Sequence, residues 1–191
     1  VRGFAAHGLA GTGMRDIARA AGLTEGTLYH YFPSKDALIA DAFRWSAFGA
    51  SGVRAAMRRG DVPLRERLLG VGEEFLATLR RDPHWTRVVI REALRAAPDA
   101  ASNPIRGALV SLATERIRTL SAALRAEAKS RRIASCDPPQ VAAHLFHALI
   151  GHFVAEAISG AALRAGSDPF LVHLVDTIAR DLERGGRRRA P

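Results

Sequence analysis

Three features of the 191-residue chain predict an all-α fold. Aromatic residues make up only 6%, while Ala, Leu and Arg are abundant, so the residue types that favour strands are scarce. Apolar residues recur at spacings of three and four, with no runs of alternating polarity. Pairs such as Asp82-Pro83, Asn103-Pro104, Asp137-Pro138 and Asp168-Pro169 punctuate the chain. They place Pro at helix starts, where its missing N–H costs no hydrogen bond.

The elements follow in order. Two short helical patterns flank Gly22. Phe32-Pro33-Ser34 opens a longer helix with Ser34 as N-cap, running from about residue 35 to Arg58-Arg59-Gly60, with Gly49 and Gly52 weakening its second half. Asp61-Val62-Pro63 opens the next, whose stripe is Leu64, Leu68, Val71, Phe75 and Leu79. A shorter helix follows Asp82-Pro83 and ends before Pro98. Asn103-Pro104 begins a long amphipathic helix with stripe Ile105, Leu109, Leu112, Ile117, Leu120 and Leu124. Arg131-Arg132 near its end suits the helix dipole. Asp137-Pro138 caps a helix with stripe Ala142, Leu145, Leu149, Phe153 and Glu156. Ser167-Asp168-Pro169 starts the last, with Leu171, Leu174, Val175, Ile178 and Leu182, and Gly185-Gly186 marks a frayed basic tail. No internal repeat or low-complexity tract is present.

Composition narrows the function. A hydrophobic content of 48% supplies a real core and excludes global disorder. Lys+Arg 28 against Asp+Glu 19 gives +9, which suits a polyanionic partner, although an Arg-rich solvated surface gives the same balance. One Cys cannot form an internal disulfide. No stretch reaches about 18 uninterrupted apolar residues, and the first residues lack a signal-peptide pattern, so a cytoplasmic protein is expected.

The most informative stretch runs from Gly13 to Phe32. Ile17 and Ala21 share one face of a short helix, and Ala18 is small where a crossing helix must come close. Gly22 can take the left-handed conformation that ends the helix. Leu23 fills the corner, Thr24 caps a second helix, and Leu28 and Phe32 turn back to the core. This is helix-turn-helix geometry. It leaves Glu25, Gly26, Thr27, Tyr29 and His30 on or near the outer surface, and a short polar helix with small residues near its start suits the major groove of DNA.

Residues 4–43, from Phe4-Ala5-Ala6-His7-Gly8 through Leu28-Tyr29-His30-Tyr31-Phe32-Pro33-Ser34-Lys35-Asp36-Ala37-Leu38, resemble the DNA-binding domain of the TetR family of transcriptional regulators. The later helices resemble the family only in number, length and order. The resemblance implies about nine helices, a homodimer that binds a palindromic operator on double-stranded DNA, usually as a repressor, and release by a small-molecule effector. Two departures stand out. Only Val1-Arg2-Gly3 precedes the matching segment, where the family has a full first helix, so that helix is expected to be truncated. Gly13 stands where the family often has a Ser or Thr cap. By position, the resemblance places Thr12 and Arg15 near the DNA backbone and Thr24, Tyr29, Tyr31 and Lys35 on phosphates. Lys35 sits in a helix's first turn, where backbone N–H groups also face an anion. Glu25, Gly26, Thr27 and His30 fall nearest the bases. Tyr31 equally suits a half-buried place against the domain core.

A DNA-binding domain over residues 1–46 and a ligand-binding and dimerisation domain over 47–191 are therefore expected. Along the helix from Pro138, one face carries His144, Ala148, Gly151, Ala155 and Ser159, whose small residues let another helix approach closely. The family's last two helices usually form a four-helix dimer interface, so His144, Ala148, Gly151 and Ala155, with Leu171, Leu174 and Ile178 of the last helix, are assigned to the dimer. Packing inside one subunit is the alternative. On the inward side, His152 and Glu156 lie four apart beside Leu149 and Phe153. They either line a ligand cavity or form a satisfied intrahelical pair, and the pair is the commoner arrangement. Trp85, Val88, Val89 and Glu92 share a face of the short middle helix, and Phe75 and Trp45 add aromatic surface. The ligand-binding set is Phe75, Trp85, His152, Phe153 and Glu156, with plain core the alternative for each. Few polar groups converge there, which favours a hydrophobic or amphipathic ligand.

Rival chemistry finds little support. His144 and His147 are three apart with Cys136 nearby, but no carboxylate completes a metal set, and His147 faces away from His152. There is no phosphate loop, nucleophile elbow or paired carboxylate site, so no metal, cofactor or catalysis is expected. The competing reading is a helical ligand-binding or interaction protein that has lost specific DNA binding. A third is a basic helical dimer that coats nucleic acid without specificity.

Overall fold

The computed structural model describes residues 11–45, 50–82, 86, 90–91, 104–130, 132–134, 136–159 and 168–187. Among them are eight helices and no strand: α1 Met14–Ala21, α2 Glu25–Tyr31, α3 Lys35–Trp45, α4 Ser51–Met57, α5 Leu64–Arg81, α6 Pro104–Lys129, α7 Pro138–Ser159 and α8 Pro169–Arg187. The all-α expectation holds. The chain divides into two compact units, residues 1–48 with 80–112, and residues 49–79 with 113–191.

The N-terminal unit is built on local signals. Gly13 caps α1, its N–H donating to Asp16 Oδ2 at 3.1 Å. Gly22 ends the helix at φ 69°, as its position predicts, and the Leu23 N–H closes the turn on the Ala18 carbonyl at 2.9 Å. Thr24 then caps α2, its hydroxyl accepting from the Thr27 N–H at 3.1 Å. Met14, Ala18 and Leu28 form the core of this motif, with Ile17, Phe32 and Leu38 packed around it. Leu23 does not fill the corner. It is 45% exposed, because the left-handed Gly22 turns the chain outward before α2 begins.

The second unit is a helical bundle whose core takes Leu68, Val71, Phe75 and Leu76 from α5, Leu120 and Leu124 from α6, Leu145, Leu149 and Phe153 from α7, and Leu171, Val175 and Leu182 from α8. Gly72 lets α8 come close, since a Cβ there would overlap the Leu171 side chain. Inter-helix ion pairs cross the packing. Arg67 Nη1 of α5 meets Glu127 Oε1 of α6 at 2.8 Å, Arg65 Nε of α5 meets Asp176 Oδ1 of α8 at 2.6 Å, and Arg54 of α4 meets Glu115 of α6 at 3.3 Å.

Several expectations change. The helix expected over 35 to about 58 is two helices, α3 and α4. Ala50 caps α4 in a non-helical conformation, and the Glu74 carboxylate lies against the backbone at Gly52, where a Cβ would have to displace it. The stripe of α6 differs at one position, for Arg116 is buried and Ile117 only half-buried, while Leu120 and Leu124 are buried as expected. Helix α8 continues through Gly185-Gly186 to Arg187, since a glycine costs a helix interior only about 1 kcal/mol and does not stop it outright. Of the helix expected after Pro83, only Thr86, Ile90 and Arg91 are described, so Trp85, Val88, Val89 and Glu92 lie outside the described residues, as does the side chain of Trp45.

Candidate functional site

Leu28, 5% exposed, fixes the rotation of α2 by anchoring one side of this seven-residue helix in the core. Everything else on it faces outward: Glu25, Gly26, Thr27, Tyr29, His30 and Tyr31 are all exposed, as is the capping Thr24. Tyr31 is 69% exposed, which decides against its half-buried alternative. The His30 and Tyr31 rings meet edge-to-face at 5.3 Å. The Thr24 and Thr27 hydroxyls lie 2.7 Å apart, so the start of α2 presents a braced pair of small hydroxyls. Arg15 is exposed on α1, and Arg19 lies 3.7 Å from Asp16 on the same helix.

Lys35, the first residue of α3, is half-buried, its ammonium donating to the Thr12 carbonyl at 3.2 Å. Thr12 itself is 5% exposed, so its side chain is not presented for a DNA contact. Its expected role is corrected from contact to support, because its backbone holds Lys35. Sequence pattern alone does not reveal this, since the two residues are 23 apart.

In the second unit, His144, Gly151, Ala155 and Ser159 are exposed on α7 and Ala148 half-buried, so the small-residue stripe lies on the surface of the single chain. A Cβ on Gly151 would meet nothing within 4 Å. Helix α7 is long and apolar enough to cross a membrane by length and composition, with a mean hydropathy of 1.4, yet only 28% of that window is buried within the chain. Ile158 stands 81% exposed beside the stripe. On α8, Leu174 and Ile178 are half-buried. Leu171 is not a dimer residue. It is 1% exposed and packs on Gly72 in its own subunit, one turn before the inward-facing Val175.

The residues assigned to a ligand separate into two groups. Phe75 is buried edge-on against Phe146, ring centroids 5.3 Å apart, with the Arg116 guanidinium 4.8 Å from its ring centre. Burial pushes Arg116 down to about 10, against the opposing pull of the Glu74 and Glu115 carboxylates, so it stays charged at neutral pH. Arg116 was legible in principle, because it falls on the four-residue line Leu112, Leu120, Leu124 of the apolar stripe. Phe153 is buried at 1%. His152 and Glu156 do come together, Nε2 to Oε1 at 3.5 Å, but a third residue joins them. Asp168 Oδ2 lies 3.0 Å from His152 Nε2, while Asp168 Oδ1 accepts the Phe170 N–H at 3.0 Å and caps α8. Phe170 stacks on the imidazole at 4.3 Å with the planes 8° apart. The satisfied pair is therefore a three-residue cluster, which also offers the donor types of a metal site.

Comparison with known proteins agrees with the motif. Residues 1–42 match the family model described as bacterial regulatory proteins, tetR family. The transcriptional regulator RutR of Escherichia coli O157:H7 is 29% identical over 194 residues, covering 97% of this chain and 86% of that protein. The transcriptional repressor KstR2 of Rhodococcus jostii RHA1 is 49% identical over 41 residues, 22% of this chain and 20% of the repressor's own length. The crystal structure of the regulator FadR from Bacillus subtilis in complex with stearoyl-CoA shares the fold, with a TM-score of 0.70 at 18% identity over 95% of this chain and 92% of that one. The capped helix-turn-helix therefore lies within the segment that matches the tetR family model, and the chain is similar along nearly its whole length to a regulator that carries such a motif.

Proposed function

We propose that the chain is a cytoplasmic, non-enzymatic, dimeric transcriptional repressor that binds a palindromic operator and is released by a hydrophobic or amphipathic small molecule. Residues 1–46 serve DNA binding, and residues 47–191 serve the ligand and the dimer. The observation that carries this reading is α2, whose whole polar face from Thr24 to Tyr31 is held outward by the buried Leu28. A seven-residue helix is about 10 Å long. It fits the major groove, which is about 12 Å wide. Glu25, Gly26, Thr27 and His30 lie nearest the bases, while Tyr29, Tyr31, Lys35 and Arg15 hold phosphates.

The dimer reading is supported by α7, an apolar helix whose stripe of small residues is uncovered in the single chain. A second copy packed on it would bring two DNA-binding domains to one operator. For the effector, Phe75 and Phe153 are apolar, and the buried Arg116 beside Phe75 adds one cationic group. That combination favours an amphipathic ligand over a sugar. The stearoyl-CoA held by the Bacillus subtilis regulator is of the same chemical class. The ligand acts through its different affinities for two spacings of the DNA-binding domains, only one of which matches successive grooves.

The test is selection of genomic fragments by the full chain, followed by competition with scrambled DNA. A best fragment that outcompetes scrambled sequence by at least about a thousandfold supports a specific regulator. Equal binding to both would leave only a non-specific coat.

A further inference from the structure

We infer that His152, Glu156 and Asp168 form a divalent transition-metal site that joins α7 to the start of α8. His152 and Glu156 stand one helical turn apart on α7, the spacing that aims two side chains at one point. Asp168 reaches the same point from the N-terminus of α8. Their donor atoms all lie within 4.8 Å of one another. The side chains are 20%, 13% and 8% exposed, so this is a sheltered cluster rather than a group of surface acids.

The two spacings from the imidazole suit a metal. Bonds of about 2.0–2.1 Å place neighbouring ligands of a tetrahedral ion roughly 3.3 Å apart. The imidazole nitrogen lies 3.0 Å from the Asp168 oxygen and 3.5 Å from the Glu156 oxygen. A histidine–aspartate hydrogen bond accounts for the first contact, and the second is a long intrahelical ion pair. At 3.5 Å Glu156 is beyond good hydrogen-bond range to the imidazole, yet well placed as a further ligand.

The surroundings hold the ligands in position. The Asp168 carboxylate is fixed by its other oxygen, which accepts the Phe170 and Leu171 N–H groups at 3.0 and 3.4 Å. The stacked Phe170 ring sets the plane of the imidazole. Ligands oriented by outer partners in this way are characteristic of metal centres. One imidazole nitrogen with two carboxylate oxygens suits Zn2+, Co2+ or Mn2+, whereas Mg2+ and Ca2+ prefer oxygen alone. Water completes the coordination. The imidazole binds through the Nε2 lone pair, with its proton on Nδ1.

The experiment titrates the tag-free full chain with Zn2+ against a chromophoric chelator, and records the ligand-field absorption of bound Co2+. One ion per chain is expected. His152→Gln and Asp168→Asn should each weaken binding at least tenfold and remove the Co2+ band. Asparagine still caps α8, so circular dichroism should be unchanged in that variant. A control variant carrying His144→Ala, His147→Ala and Cys136→Ser should keep both affinity and spectrum. The proposal is overturned if Zn2+ does not bind stoichiometrically at micromolar concentrations. It is equally overturned if binding survives both site substitutions, or if the control variant abolishes it.

Discussion

Lys35 is proposed to serve recognition, whereas Glu127 serves stability. The Lys35 ammonium, in the first turn of α3, is held on the Thr12 carbonyl at 3.2 Å. As a phosphate contact it reads no sequence, so Lys35→Ala should weaken binding to every DNA alike and flatten the salt dependence by about one unit of slope. Binding titrations at several salt concentrations check this, and an unchanged slope would remove Lys35 from the interface. Thr27→Ala should instead alter sequence preference, since the Thr27 backbone N–H still bonds to the capping Thr24. Glu127 has a different task. Its hydrogen bond to Arg67, with the nearby positive charges of Arg67 and Arg132, holds its carboxyl below the ordinary 4.5 despite burial. A carboxyl depressed by folding stabilises the fold fully above its unfolded value and loses that contribution as pH falls through the folded one. Glu127→Ala should cost about 3–5 kcal/mol at pH 7, because Arg67 stays buried without its carboxylate. In urea denaturation that gap should shrink below pH 4.5. A gap independent of pH would mean the ion pair is not its source.

Two glycines on different helices separate internal packing from assembly at the scale of the element. Gly72 of α5 faces the side chain of Leu171, itself 1% exposed, and a Cβ there would overlap it. Gly72→Ala should destabilise the chain by about 1–3 kcal/mol, lowering the thermal midpoint without changing the oligomeric state. Gly151 of α7 has open space around its Cβ position. Gly151→Arg should therefore leave the chain folded but prevent a close helix contact between copies, giving monomers in sedimentation. A variant that remains dimeric would move the interface off this face. The two helices found where one was expected after Ser34 reflect the same logic. Gly52 costs helix propensity, and a Cβ there would have to displace the Glu74 carboxylate, the far end of a flexible side chain.

For the whole molecule, the proposed function depends on two copies presenting two α2 helices at a fixed separation. A dimer of this kind should bury at least about 1,200 Å² in total. The protected operator should be a palindrome whose half-site centres lie about one helical turn of DNA apart, or a multiple of it. Footprinting on the best genomic fragment tests this, and a site without two-fold symmetry would rule out the symmetric mode. Effector titrations of the protein–DNA complex should shift in potency with Trp85→Ala and Phe153→Leu. An inducer indifferent to both places the pocket elsewhere in the chain.

Local chemistry made much of this legible in the sequence. The left-handed Gly22, the Thr24 cap, the buried Leu28 and the exposed face of α2 all follow from neighbours within a few residues, where backbone sterics and capping act alone. The starts of α6, α7 and α8 were equally plain, because Pro can enter a helix only at its first turn. What the tertiary structure decided involves partners far apart in the chain. Arg116 enters the core where Ile117 was expected, since packing on Phe75 fixes the rotation of α6. Leu171 turns inward onto a glycine about a hundred residues away, and a periodic stripe cannot say which of its members face their own subunit. Asp168 reads in sequence only as a helix cap. Its second carboxylate oxygen meets His152 because α7 and α8 pack side by side, and no spacing along one strand of sequence encodes a meeting that two helices make in space.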